Sequence, residues 1–252
     1  MDLFTGVGVA LVTLMDDAGD VDAAGTGALA AELASRGMRA VLACGTTGEA
    51  GTLTDAERVE VVRAVRDALP SDVQVLAGTG ATSATRAVEL TAAAAAAGAD
   101  AVLAWPPPGS EDLAGYFGAV AAAAPGLPVL AYHIPWVSAP GVPVSALAGL
   151  PIAGLKDSAG DPDRLLAEIA HYPGRTYVGS SALLALAGPL GGTGAILAVA
   201  NAEPELCCAA FAGDAEAQRR LIDVHLAVRQ GGVPALKRIL AEQRGTVALS
   251  RV

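Results

Sequence analysis

The stretch ADAVLAWPPPGSEDLAGYFGAVAAAAPGLPVLAYH, residues 99–133, sets a longer Ala-rich segment between two short apolar runs. ADAVLAW (99–105) and PVLAYH (128–133) have the length and near-continuous apolarity of strands buried on both faces. Between them Asp112–Ala124 has the length of a helix, and Gly126 stands where that helix should stop. A buried strand, a helix and a second buried strand make one parallel βαβ unit. Outward from this stretch the unit recurs. GVGVALVTL (6–14), RAVLACG (39–45), VQVLAG (73–78), IAGLK (152–156), TYVGS (176–180) and TGAILAV (193–199) read as six more buried strands. Thr54–Leu69 and Thr82–Ala97 read as helices. Thr54 and Glu57 have the spacing of a capping box, Thr82 is a second candidate cap, and Gly98 and Gly174 are further stops. Eight strands at the spacing of one repeat, roughly 20–35 residues, predict a (β/α)8 TIM barrel over residues 1–200. An open doubly wound sheet, the competing architecture, would end after about five or six strands. Past residue 201 the strands cease. Pro204–Gly213, Asp214–Gln230 and Pro234–Arg244 read as three helices, a short C-terminal helical domain over residues 201–252. No Pro- or Ser-rich linker precedes it, so it is expected to pack on the barrel.

Composition narrows the function classes. At 53% hydrophobic and 17% charged, the chain is a folded one. A net charge of -10 argues against nucleic acid and against an anionic membrane surface as partners. No apolar run reaches membrane-spanning length, and MDLFTGVGVALVTL carries an acid where a signal peptide has basic residues. Cys44, Cys207 and Cys208 lack metal-ligand spacing and read as reduced thiols. These features predict a cytoplasmic protein. The three histidines form no metal set: His133 falls beside Tyr132, while His171 and His225 read as ordinary helix residues. Gly78-Thr79-Gly80 and Gly191-Gly192-Thr193-Gly194 lack GxGxxG spacing and read as turns. No metal or cofactor is expected.

Of 16 Lys and Arg residues only Lys156 and Lys237 are lysines. Lysine can lose its proton and become a nucleophilic amine, which arginine cannot. Lys237 falls on a polar helical segment and reads as a surface residue. Lys156 ends the sixth strand, on the face where barrels carry their active sites. It reads as a catalytic amine or, more blandly, as a lysine paired with Asp157. Tyr132, at the end of the fifth strand, suits a general acid–base or a packed rim aromatic. Cys44-Gly45-Thr46-Thr47-Gly48-Glu49 follows the second strand; it suits a nest of N–H and hydroxyl groups for a carboxylate, or an ordinary βα turn.

These motifs coincide. FTGVGVALVTL, GTTGEAGTLT, LAGTGATSATRAVEL, AGADAVL, YHIP, GLKDSAGD and GGTGAILAVANAEPEL, in order along nearly the whole chain, resemble the dihydrodipicolinate synthase / N-acetylneuraminate lyase family. The resemblance implies a lyase of the Schiff-base aldolase type, usually a homotetramer and at least a homo-oligomer, needing no metal or cofactor. It implies an imine between Lys156 and pyruvate or another 2-oxo acid, with an aldehyde as the second partner. Tyr132 would carry protons. Thr46, Thr47 and Gly48 would hold the carboxylate, and Thr47 would hydrogen-bond Tyr132. The backbone at Gly179 and Ile196 would line the pocket. Four places depart from the family. YHIP replaces the usual YNxP, with His133 for asparagine. Val137 stands where the synthases place an acceptor-binding arginine. Trp105-Pro106-Pro107-Pro108-Gly109 lacks the tyrosine that reaches a neighbouring subunit. Ser180 and Ser181 replace the acids of the sialate lyases. The acceptor is therefore expected to differ from that of a true dihydrodipicolinate synthase. Trp136 and Val137 suggest a less anionic acceptor and a more apolar pocket. A 2-keto-3-deoxy sugar acid aldolase or dehydratase, or a catalytically impaired 2-oxo acid-binding paralogue, are the other readings.

Overall fold

In the computed structural model, which describes residues 3–252, eight parallel strands close into a barrel in sequence order. They are β1 (Gly6–Ala10), β2 (Ala40–Ala43), β3 (Gln74–Gly78), β4 (Ala101–Ala104), β5 (Val129–His133), β6 (Gly154–Asp157), β7 (Arg175–Val178) and β8 (Gly194–Leu197). The helices are α1 (Ala23–Ser35), α2 (Asp55–Ala68), α3 (Ala84–Ala96), α4 (Leu113–Ala123), α5 (Val144–Leu147), α6 (Pro162–His171), α7 (Leu184–Ala187), α8 (Pro204–Phe211), α9 (Ala215–Arg220) and α10 (Ile222–Arg244). The chain is a (β/α)8 barrel followed by helices. Of the three helices read after residue 201, the first, α8, packs on β1 and α7 and so completes the outer ring of the barrel.

Each strand is shorter than its apolar run, because the ends of the runs turn into the loops at the rim. Alternation of side chains divides the apolar residues between two cores. Val41, Val102, Val129 and Leu155 face outward against the helices. Leu42, Leu76, Leu103, Leu130 and Ile196 fill the barrel interior. The lower end is plugged by Phe4 and Tyr177, whose rings lie 4.7 Å apart; the Tyr177 hydroxyl donates to the Phe4 carbonyl at 2.6 Å. A packed interior leaves the C-terminal ends of the strands as the open face.

Caps account for most helix starts. Thr54 caps α2 in a complete capping box. Asp112 caps α4 by accepting from the Gly115 N–H. For α3 the cap is Ser83, not Thr82: its side chain accepts from the Arg86 N–H. Gly98 and Gly126 take positive φ, +96° and +85°, just past their helices. Gly174 does not stop α6, which ends at His171. It lies under Tyr172, where an added Cβ would come within 2.2 Å of the ring.

The reading Asp214–Gln230 divides into α9 and the first half of α10, whose second half is the reading Pro234–Arg244; the two halves are broken by Gly232 at φ 60°, ψ −150°, with Pro234 beyond it. Lys237 on its second half is a correction to the surface reading. It is fully buried, ion-paired with buried Glu49, and donates to the Leu249 carbonyl at 2.9 Å. The cause is the segment after α10, which folds back over the N-terminal loops. Glu49 also accepts from the Ser250 hydroxyl at 2.8 Å and the Arg251 N–H at 2.6 Å. Arg251 in turn pairs with Glu57 at 2.8 Å.

Candidate active site

Parallel register sets the first element of the site. Tyr132 on β5 is the register partner of Lys156 on β6, which pairs with Tyr177 on β7; Tyr132 and Lys156 face the upper end of the barrel, while the tilt of the strands carries Tyr177 to the lower end. Gly154, two residues before Lys156, lets β6 lie close against β7: a Cβ there would lie 2.8 Å from the Arg175 carbonyl. Lys156 is only 4% exposed, and its Nζ lies 4.5 Å from the centroid of the Tyr132 ring. Asp157, next along the strand, faces the other way and pairs with Arg164 at 3.1 Å. No carboxylate among the described residues pairs with Lys156, so the bland reading of a Lys156–Asp157 pair does not describe this lysine. An ammonium over an aromatic face is held by the ring quadrupole rather than by a counter-ion.

Lys156 opens into a cleft of about 330 Å³ at the C-terminal end of the barrel. Of the residues expected at the site, Tyr132, Thr46, Thr47, Gly179 and Ile196 line this cleft with it. Glu49, at the end of the Thr46–Thr47 turn, takes a left-handed φ of 55°. Its buried carboxylate anchors the turn to Lys237 and to the returning C-terminal segment. Gly48 does not line the cleft: its carbonyl accepts from the Thr13 hydroxyl at 2.8 Å, and a Cβ would meet the Leu11 carbonyl at 3.1 Å. It is a close-packing glycine. Val137 also lies apart, in an adjoining cavity of about 510 Å³ from which Tyr132 and Thr46 divide the cleft. The expected hydrogen bond between Thr47 and Tyr132 is not formed. The Tyr132 hydroxyl instead accepts from the Ser158 hydroxyl at 3.2 Å.

Ser158 was legible in principle. It stands two residues beyond Lys156, and residues two apart along an extended strand share a face. Gly179 makes room for it, since a Cβ at 179 would lie 2.1 Å from the Ser158 hydroxyl oxygen. The remaining wall comes from α10, which places His225, Val228 and Arg229 on the cleft. Spacings of three and four residues put these on one helical face. His225 Nδ1 lies 2.8 Å from the Ser181 hydroxyl, and the Arg229 guanidinium lies 5.4 Å from the centroid of the Trp136 ring. Burial, and secondarily the charge of Arg229, hold the His225 imidazole below its ordinary pKa.

Behind the strands a second polar cluster supports the site. His133 faces outward and its Nδ1 accepts from the Val142 N–H at 3.0 Å, so it backs the cleft rather than lining it. Arg164 bridges Asp157 and fully buried Glu168, at 3.1 and 2.9 Å. Burial and then the neighbouring Asp157 charge push the Glu168 carboxyl up to about 8, so Glu168 holds a proton near neutral pH.

The arrangement joins a buried amine, a hydroxyl-bearing ring beside it and a polar turn opposite, which is what carbonyl chemistry at an amine requires. No described helix is long and apolar enough to cross a membrane. Relatives of the chain carry the same architecture. A crystal structure of a dihydrodipicolinate synthase superposes with a TM-score of 0.91 at 28% identity, covering 99% of this chain and 92% of that one. A prophage protein of E. coli K12 belonging to the dihydrodipicolinic acid synthase family, crystallised in complex with pyruvate, superposes with a TM-score of 0.89 at 27% identity, covering 98% and 91%. The 4-hydroxy-tetrahydrodipicolinate synthase of Stutzerimonas stutzeri (strain A1501) is 37% identical over 249 residues, 90% of this chain and 83% of the relative. That of Synechococcus sp. (strain CC9605) is 47% identical over 136 residues, 52% of this chain and 45% of the relative, so the chain spans about half the length of some curated relatives it matches. Residues 3–250 match the model of the Dihydrodipicolinate synthetase family, and the chain belongs to that family.

Proposed function

We propose that this protein is an aldolase whose Lys156 forms a Schiff base with pyruvate or another 2-oxo acid and makes or breaks a carbon–carbon bond with an aldehyde. The observation that carries this reading is Lys156 itself: a buried lysine with no carboxylate partner, opening into a cleft beside the Tyr132 ring. Unprotonated, its Nζ attacks the ketone carbon of the oxo acid; loss of one water together with uptake of one proton leaves a protonated imine, and that proton is given back when the imine is hydrolysed. That cation is the electron sink: a proton leaves the adjacent methyl carbon and an enamine forms. The enamine carbon attacks the aldehyde carbon, and the aldehyde oxygen takes a proton. One water then hydrolyses the imine and frees Lys156, so pyruvate and aldehyde give a 4-hydroxy-2-oxo acid with no net change in oxidation state.

Tyr132 moves protons at the imine and at the aldehyde oxygen, with Ser158 orienting its hydroxyl. The Thr46–Thr47 turn receives the carboxylate through its hydroxyls and N–H groups. That a relative of the same fold holds pyruvate supports a 2-oxo acid as the first substrate. The test is incubation with pyruvate and borohydride followed by peptide mass analysis. Reduced pyruvate is expected on Lys156, and its absence would overturn the reading. A panel of 2-keto-3-deoxy acids, assayed for pyruvate release and for dehydration, separates aldol cleavage from the dehydratase alternative.

A further inference from the structure

The cleft above Lys156 contradicts the charge of the protein that holds it. The chain carries 26 acids against 16 Lys and Arg, yet the groups of formal or titratable charge lining this cleft beyond Tyr132 are Lys156, His225 and Arg229, with no carboxylate among the described residues. Arg229 is exposed and makes no ion pair with any described residue; its guanidinium is steadied over the indole of Trp136 instead. A guanidinium stacked on an aromatic face keeps its N–H edge free for a carboxylate. Also on the cleft, Ser181 is buried: its hydroxyl lies 2.8 Å from His225 Nδ1, and its backbone carbonyl accepts from the Gln218 side chain at 2.8 Å. His225 is held neutral, so the positive charge at this end belongs to Arg229.

We propose that Arg229, with the Ser181–His225 pair, forms a second subsite of the Lys156 cleft that binds the carboxylate of the acceptor aldehyde, and that the acceptor carries no ammonium group. The inference rests on the aldolase reading and deepens it. It replaces the expectation of a less anionic acceptor, which came from Val137 and Trp136. Val137 lies in the adjoining cavity, and Trp136 supports a cation. An acceptor ammonium would find no carboxylate in the cleft, and would meet the Arg229 guanidinium there. The acceptors that fit are short aldehyde acids, and the product is a 2-oxo acid anionic at both ends. The two anionic ends have separate holders, the Thr46–Thr47 turn on the barrel and Arg229 on α10.

The test compares wild type and Arg229→Gln with pyruvate and four aldehydes: glyoxylate and succinate semialdehyde, which are anionic; butanal, which is neutral; and aspartate semialdehyde, which adds an ammonium. Wild type is expected to prefer the two anions. In Arg229→Gln the ratio of kcat/KM for succinate semialdehyde over butanal is expected to fall about 10–100-fold, the effect of losing a charge-assisted hydrogen bond, and mostly through KM. The ratio is internal to one variant, so partial misfolding does not mimic it. Arg229→Lys is expected to restore part of it. An unchanged ratio overturns the proposal, as does aspartate semialdehyde used as well as succinate semialdehyde, or a wild type that traps pyruvate and condenses it with none of the four. A wild type that fails to trap pyruvate overturns the Schiff-base reading beneath it instead.

Discussion

Replacing Lys237 by methionine isolates the energetic role of the second lysine. Its ammonium and the Glu49 carboxylate are both fully buried in side chain and in direct contact. Methionine has nearly the length of the lysine stem, so the change removes a charge more than a volume. Glu49 would then be left buried and ionised. Removing one member of such a pair costs about 3–5 kcal/mol, because the remaining charge has lost both its water and its partner. Glu49 keeps donors from the Ser250 hydroxyl and the Arg251 N–H, so the lower end, about 3 kcal/mol, is expected. The Leu249 carbonyl loses its donor as well. Urea unfolding followed by circular dichroism reads the change as a lower midpoint at unchanged slope. The double variant Lys237→Met, Glu49→Gln strands no charge and should recover part of the loss. A single variant within about 1 kcal/mol of wild type would refute the reasoning, and so would a double variant less stable than the single one.

Two further outcomes follow from the geometry. In Gly179→Ala the new methyl would occupy the place of the Ser158 hydroxyl, 2.1 Å away, and break its bond to Tyr132. Turnover of pyruvate with its preferred aldehyde should fall about tenfold, the effect of one lost hydrogen bond; Ser158→Ala should fall as far, and the double variant no further than either. Glu168→Gln tests the proton on that carboxyl. The folded carboxyl titrates near 8, above its ordinary 4.5, so the native state holds a proton that the unfolded chain has released. Stability from this group is complete below the unfolded value and declines as pH rises from about 4.5 to 8, by at most ~5 kcal/mol. Urea midpoints of Glu168→Gln between pH 5 and 8 should decline less steeply than those of wild type; an equal slope would show that the proton is not held there.

The barrel was legible because each of its signals is local. An apolar run five to nine residues long, a capping residue and a glycine past a helix end can each be read within one repeat, and eight repeats leave few other architectures. Lys156 was legible for a different reason, its rarity among arginines combined with a strand-end position. Distance along the chain hid the rest. Arg229 and His225 lie some 70 residues beyond Lys156, on a helix whose placement over the cleft depends on how α10 packs, which no local pattern states. Lys237 sits in a polar segment and is buried only because residues 245–252 return across Glu49. Val137 was placed by its sequence neighbours, whereas the direction of its side chain is set by the turn after β5.

The break at Gly232 gives α10 two independent halves. A φ of 60° with ψ of −150° is a backbone state that residues other than glycine avoid. Beyond it, Leu236, Lys237 and Leu240 are locked into the fold; before it, His225, Val228 and Arg229 border the cleft. Variation can therefore accumulate on one side of a single glycine without disturbing the other. A library randomised at 225, 228 and 229 alone would vary the wall of the cleft while leaving the buried second half of the helix intact, and the same break offers a lineage a route to reshape the cleft without unmaking the fold.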